Sequence, residues 1–460
     1  MGKRGKRTMA FLCARKGRGF VVPRFSAGAR RFMLVVGGLY LHFANGVRTV
    51  EIHRQEGLLD ALEGFYRGEQ RLIIAFRHVA KEDAAVMMYA LGRKLRRAIR
   101  IRNRHTPPEQ RIIAHAQFLY GRDVLDWAGR LAAWLFPRIG CVPVQNRGSN
   151  RDGLNVLRAS ICKGTFPVAL APEGQVTYHM YTCSPISAGI ASMAMWGVQS
   201  DKDMVIVPVA LGYRRSTQPQ AFIRSVLKRW EHQCGQQLSD TDHGPILALL
   251  LEAAEKTVGL LEQLYAIQPT RETDPDTLRT RILAVCETAM RRAEHLARQK
   301  PEGNLLDRLF NIRYQGVEAV HPEKFDPDTM PPLGKSLADF HALEAHVFLR
   351  HSQIVDVLQY VDPAYIAAPC STGRAEEFAL DLLDVVNRVR GGNINSRYSP
   401  HGKQALVEIG RALRIGELGI LGKDIPRKER LNRINDAVSA ALQHTSQQME
   451  SHWETSVFSS

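Results

Sequence analysis

A histidine followed five positions later by an aspartate, His78 and Asp83, is the pair in this sequence best placed to move a proton. An aspartate that accepts a bond from one imidazole nitrogen leaves the other free to act as general base toward a hydroxyl. The H-x4-D spacing alone says little, because it recurs at His321/Asp326 and His351/Asp356. What precedes His78 sets it apart. Residues 72–76 are five apolar residues in a row, which reads as a short buried strand, and a helix is expected from about residue 81 to 100. Strand ends that feed helix starts are where open α/β sheets place their chemistry, and a helix N-terminus favours the aspartate's charge.

Two more polar positions follow apolar stretches in the same manner. Residues 141–144 read as a strand and lead to a polar loop, 146–153, that carries Arg147. Residues 166–171 read as another and run into Pro172-Glu173-Gly174. Projected from one sheet edge, a general base, a fixed cation and an acid on a tight glycine turn suit transfer of an acyl group to the hydroxyl of a phosphorylated acceptor. Backbone N–H groups at a helix start would stabilise the oxyanion. A thioester donor is activated enough to need no covalent enzyme intermediate. The chain has neither a G-x-S-x-G elbow nor a Walker A loop to point elsewhere.

The elements that must position these residues alternate. Strands are expected at 48–53, 72–76, 112–119, 141–144, 166–171 and 204–210, with helices at 57–66, 81–100, 124–136 (Trp127 and Trp134 on its apolar side), up to 163, and 187–197. That rhythm implies an α/β fold with a mostly parallel sheet. From about 219 to 390 the periodicity is helical, at 246–267, 276–299, 336–358 and 374–389. His341, His346 and His351 recur every five residues, a turn of ~140° per step, so they cannot share a helix face as metal ligands. Strand-like alternation returns at 404–415 around Gly410, and a last amphipathic helix is expected at 428–448. The expected divisions are a partly disordered basic segment (1–30), an α/β domain (31–215), a helical region or insertion (216–395), and a strand and helix (396–460) that complete the α/β domain.

Composition bounds the partners. With 460 residues the chain has room for two or three domains, and a net charge of +16 favours anionic partners. Residues 1–50 hold eleven Arg or Lys and no acid, beside an apolar stretch at 32–43. Arg93, Lys94, Arg96, Arg97, Arg100, Arg102 and Arg104 form a second basic run without an acid. Both suit an anionic membrane surface, against the plainer readings of a solubilising tail and a solvated helix face. The run from Arg93 to Arg104 has no interleaved aromatics, and nucleic acid is not expected. Seven cysteines without a C-x-x-C pair suit a reducing compartment. No stretch reaches the ~20 apolar residues of a membrane span, so a cytoplasmic protein attached peripherally is expected.

In order and spacing these blocks resemble the glycerolipid acyltransferase family, specifically its 1-acylglycerol-3-phosphate acyltransferase-like members. Arg77-His78-Val79-Ala80-Lys81-Glu82-Asp83 is similar to the catalytic H-x4-D block. Gly140 to Arg147 is similar to the block whose arginine binds acceptor phosphate, although it is one residue longer. Ala171-Pro172-Glu173-Gly174 is similar to the F-P-E-G block, and Val205-Ile206-Val207-Pro208-Val209 to the late strand. Gln175-Val176 stands where the family usually has Thr-Arg. The resemblance covers roughly residues 30–214. It implies an enzyme with His78 and Asp83 as catalytic residues and Arg147, Glu173 and Gly174 at the substrate. The implied acyl donor is acyl-CoA or acyl-carrier protein, the acceptor 1-acylglycerol 3-phosphate, and no metal or cofactor is needed. The alternatives are a different lipid or neutral hydroxyl acceptor, and a catalytically silent basic protein of the membrane surface.

Overall fold

The computed structural model describes residues 13–145, 151–200, 202–268, 275–420, 422, 425–454 and 457–458. Strands rich in Val, Ile and Leu build its central sheet: β1 (Val47–His53), β2 (Gln70–Phe76), β3 (Gln117–Gly121), β4 (Val142–Val144), β5 (Val168–Leu170) and β6 (Asp203–Arg214). A short β7 (Cys370–Ser371) lies apart, paired with β10 (Val457–Phe458). From the C-terminal part of the chain β8 (Lys403–Ile409) and β9 (Leu413–Arg414) enter the main sheet. The spatial order is β1-β8-β6-β2-β5-β3-β4, with β9 also against β6. β2, β3, β4, β5 and β6 run parallel, whereas β8 and β9 are antiparallel to β6. The sheet is mixed but mostly parallel, flanked by helices, as its sequence implied.

The helices in chain order are α1 (Ala27–Phe43), α2 (Gln55–Tyr66), α3 (Asp83–Tyr89), α4 (Arg96–Arg102), α5 (Val124–Trp127), α6 (Arg130–Arg138), α7 (Arg151–Lys163) and α8 (Gly189–Val198). The helical region holds α9 (Pro219–Cys234), α10 (Ile246–Tyr265), α11 (Pro275–Leu296), α12 (Leu305–Val320), α13 (Pro332–Leu358) and α14 (Thr372–Val389); α15 (Arg427–Trp453) closes the order. β2 shows why its apolar run is continuous: both its faces are covered. Leu72, Ile74 and Phe76 join a core with Leu58, Leu59 and Leu62 of α2 and Val86 and Met87 of α3. Ile73 and Ala75 point the other way, to a core with Ile190 of α8 and Ile434, Val438 and Leu442 of α15. Each fully buried side chain of this size stabilises the fold by about 1.5–3 kcal/mol. α15 lies close enough to the sheet that a Cβ on Gly410 would sit 2.1 Å from Thr445 Oγ1.

Several expected elements are redrawn. The strand expected at 112–119 begins only at Gln117, because the Asn103 side chain takes both the N–H and the carbonyl of Ile112. The helix expected at 124–136 is broken at Gly129, whose φ of 93° a helix cannot hold. Trp134 is 43 % exposed, not packed on an apolar side; the Trp127 side chain lies outside the described residues. The helix expected at 81–100 starts at Asp83 and passes through a π-helical turn, Ala90–Lys94, where Gly92 faces Leu34 of α1. Helices α9 and α12 were not anticipated. Arg102 is not uncompensated: it pairs with Glu56, Asp60 and Glu63 of α2. Residues 13–26 of the basic segment run along the surface, bonding to Val320, Pro322, Pro137 and Arg138 carbonyls. No described helix is long and apolar enough to cross a membrane.

Candidate active site

β2 lies at the centre of the sheet, between β6 and β5, and its carboxyl end releases the chain as Arg77 and His78. β5 ends beside it and turns through Pro172-Glu173-Gly174, where Gly174 adopts φ 73° and its N–H bonds to the Ala171 carbonyl. A side chain at that φ would be strained, so glycine fits the turn. β6 continues five residues past the level of Phe76, which pairs with Val209, and so carries Tyr213 over the site.

His78 Nδ1 lies 3.1 Å from Asp83 Oδ2, with the imidazole 25 % exposed and the carboxylate fully buried. Asp83 also accepts the Ala80 N–H (2.7 Å) on Oδ2 and the Tyr213 hydroxyl (2.5 Å) on Oδ1. Burial, with the Asp83 charge next, pushes the Tyr213 hydroxyl well above its ordinary range, so it stays protonated and donates. With the Ala80 N–H and the Tyr213 hydroxyl donating to it, Asp83 can take a third bond from the imidazole in the tautomer that carries its proton on Nδ1. Nε2 is then the basic nitrogen. Nothing in the spacing of the sequence points to Tyr213; a tyrosine near the end of a long buried strand was the only signal.

Glu173 is where the site departs from its expected use. Its side chain is fully buried. One oxygen takes Arg77 Nε at 2.8 Å and the Ser184 N–H at 3.2 Å; the other takes the His78 backbone N–H at 2.9 Å. The Thr177 N–H holds the His78 carbonyl at 2.7 Å. Both backbone groups of His78 are therefore fixed by the turn after β5. Arg77, also fully buried, spends its remaining N–H groups on Ser446 of α15 and on the carbonyls of His179 and Thr182. Gly174 shapes the turn that brings Glu173 under His78. Cys183 lies nearby, but burial pushes its thiol up to about 12, which removes it as a nucleophile at neutral pH.

Gln175 and Val176 face the helical region. Gln175 bonds to Tyr360 and Arg313, and Val176 joins the apolar core of α9–α14. An arginine at 176 would sit in that core, which accounts physically for the valine. Arg147 lies outside the described residues. Arg151, at the start of α7, is exposed and has no carboxylate partner among the described residues. A cavity of about 50 Å³ adjoins the H-x4-D turn, lined by Val79, Lys81, Tyr178, Tyr213, Arg397 and Lys403 among others. Arg397 pairs with Asp381 and Asp384, and Lys403 with Glu82. Among the described residues Lys81 has no carboxylate partner, and its Nζ reaches the Asn395 carbonyl at 3.5 Å.

Residues 49–212 match the family model described as Acyltransferase, a span that takes in most of β1 through most of β6 and includes His78, Asp83, Glu173 and Gly174 but ends one residue before Tyr213. This stretch is an acyltransferase domain of the glycerolipid acyltransferase family. The match supports an O-acyltransferase enzyme, the class that the resemblance implied. A comparison with curated proteins finds no match to the chain. The acyltransferase domain by itself lacks β8, which enters its sheet between β1 and β6 from 191 residues beyond the end of the matched span, counted from 212 to 403.

Proposed function

We propose that the protein transfers a fatty acyl group from acyl-CoA or acyl-carrier protein to a hydroxyl of a glycerolipid precursor, with 1-acylglycerol 3-phosphate as the acceptor, in phospholipid synthesis. The observation that carries this reading is the Tyr213–Asp83–His78 chain at the carboxyl end of the central strand. In the proposed reaction His78 Nε2 takes the hydroxyl proton as the oxygen attacks the thioester carbonyl. The tetrahedral intermediate then expels the thiolate, which receives that proton from the imidazolium. An ester and a free thiol result, and the enzyme returns to its starting state. Asp83 holds the ring and offsets its transient charge; Glu173 fixes the backbone that carries it.

Cations without a carboxylate partner support an anionic acceptor. In this reading Arg147 is the main phosphate contact, with Arg151 and Lys81 adding positive charge. A membrane surface is the proposed place of work. On α1, Val35, Leu39, Tyr40 and Phe43 are each more than half exposed, and Phe32 stacks edge-on against the exposed Trp134. Leu34 packs α1 onto Gly92, directly before the exposed Arg93, Lys94, Arg96 and Arg97, which have no carboxylate partner among the described residues. An apolar helix face beside basic residues suits peripheral contact with anionic lipid.

The test is an acceptor panel of 1-acylglycerol 3-phosphate, glycerol 3-phosphate and neutral monoacylglycerol, run with acyl-CoA on the wild type and on Arg147→Ala. The expected result is preference for the phosphorylated monoacyl acceptor. Arg147→Ala should raise its apparent KM roughly tenfold or more, the equivalent of ~1.5–3 kcal/mol for a lost charged contact, and spare the donor. A wild type that prefers the neutral acceptor, with Arg147→Ala unaffected, removes the phosphate site and leaves acyl transfer standing. Binding to anionic vesicles that falls as salt rises supports the surface contact; equal binding to neutral vesicles at all salt concentrations removes its electrostatic part.

A further inference from the structure

Three side chains from distant parts of the chain converge on the face of the sheet that α15 covers. Glu408 of β8 is fully buried, yet neither of its carboxylate oxygens has a hydrogen-bond partner. His53, at the end of β1, stands directly beside it in the parallel register of β1 and β8. His452 reaches it from the last turn of α15. His53 Nδ1 lies 3.6 Å from Glu408 Oε2, and His452 Nδ1 lies 3.5 Å from Oε1. Ligand atoms of all three residues fall within 4.8 Å of one another.

Those separations are too long for good N–H···O hydrogen bonds. They are close to the spacing, about 3.4 Å, that tetrahedral geometry gives two ligands each about 2.1 Å from one zinc ion. A buried carboxylate without donors is costly, and a divalent cation would satisfy it. Both imidazoles are only partly enclosed, with side chains 40 % and 47 % exposed, so a rotation of each ring could close them on an ion. We propose that His53, Glu408 and His452 form a binding site for a divalent transition metal, Zn²⁺ first among them, with the outer coordination position open to water. The ion would join β1, β8 and α15, and so clamp the late strand and helix onto the acyltransferase sheet. Six residues before His452 on the same helix, Ser446 bonds Arg77, the residue before His78. The clamp therefore acts on the platform beneath the catalytic histidine rather than on the substrate.

Chelator-treated protein titrated with Zn²⁺ alone, followed by calorimetry, should take up one equivalent with a rise in Tm. Co²⁺ in its place should give the visible absorption of a four-coordinate site. His53→Ala and His452→Ala, at half-exposed positions, should fold and weaken Zn²⁺ binding by more than the ~10–100-fold typical of losing an outer-shell partner. Glu408→Gln should also lose the ion while keeping or raising the metal-free Tm, because an amide is less costly to bury than a carboxylate. His341→Ala, at an exposed position of α13, should bind Zn²⁺ like the wild type. Saturable Zn²⁺ binding and a Tm rise that survive unchanged in both histidine variants would overturn the site, as would a wild type that shows no saturable binding.

Discussion

His78 and Asp83 in the sheet, and His351 and Asp356 in the helical region, are the same two residue types at the same spacing. In the sheet, a strand ends between a pair of parallel neighbours and the chain turns before α3 begins, so the two side chains meet at 3.1 Å. In α13 both residues belong to one continuous helix, where five positions separate their directions by ~140°. There His351 turns to the Tyr265 hydroxyl at 2.9 Å, and Asp356 to Arg313 at 2.5 Å and Arg388 at 3.5 Å. A third copy, His321 and Asp326, straddles the end of α12, and its aspartate bonds the Asp328 N–H. The two side chains meet where a central strand ends and a helix begins within five residues; a loop alone, as at 321–326, does not join them.

The largest expected effect tests that contrast directly. His78→Ala should lower kcat/KM by ~10²–10⁴ with the fold intact, since a positioned general base contributes about that much. Asp83→Asn should be nearly as severe, through loss of the imidazole's orientation. His321→Ala and His351→Ala should stay within about twofold of the wild type. Activity assays beside thermal melts decide it: a fully active His78→Ala ends the catalytic assignment, and an inactive but folded His351→Ala breaks the contrast.

Next comes Glu173, which separates a buried support from a substrate contact. Glu173→Gln leaves the Arg77 guanidinium buried without its counter-charge, which should cost about 3–5 kcal/mol of stability in denaturant unfolding. A variant of wild-type stability with only a raised KM would return Glu173 to the substrate.

The alternation of apolar strands and polar ends was legible because period-2 burial on both faces leaves a plain record in residues such as 72–76. The carboxyl-edge placement of His78 and Glu173 followed from it. Less legible were residues whose role depends on partners far along the chain. Tyr213 reads as strand, and only the overrun of β6 past Phe76 brings it to Asp83. Glu173 looks like a site acid because a sequence does not show that Arg77 will be buried against it. Gln175-Val176 looks like a defect until the core of α9–α14 is seen to need it. The strand expected at 112–119 failed for a similar reason: a side chain from residue 103 had claimed its first backbone groups.

The two regions should also differ in what pH changes. In the helical region, burial pushes Glu376 up to about 7 against an ordinary 4.5, with Arg215 opposing. Between those values the unfolded chain is ionised and the folded one holds the proton. Its contribution to stability is therefore present below about 4.5 and is lost as pH rises through 7. The loss amounts to roughly 3 kcal/mol, at about 1.4 kcal/mol for each unit between the two values. Glu376→Gln should flatten that part of the stability–pH curve while leaving acyl transfer at its optimum nearly unchanged; parallel curves for the two proteins would contradict it.

The smallest effect is expected at Tyr213, and it bears on how much of the sheet site lies beyond the motif. Tyr213→Phe removes one of three donors to a fully buried carboxylate and changes nothing in shape. Asp83 keeps the Ala80 N–H and the His78 ring, so the histidine remains oriented, but its counter-charge is less well satisfied. A lost hydrogen bond to a charged group is worth ~1.5–3 kcal/mol, part of which the free Asp83 oxygen regains by drawing closer to Nδ1–H. That leaves a fall of roughly tenfold in kcat, with KM for both substrates unchanged, because Tyr213 acts on the base and not on the acceptor. The matching substitution at the other H-x4-D pair, Tyr265→Phe beside His351, should leave kcat alone. If Tyr213→Phe raises KM at constant kcat instead, the hydroxyl meets the acceptor from the cavity it lines beside the H-x4-D turn rather than supporting Asp83.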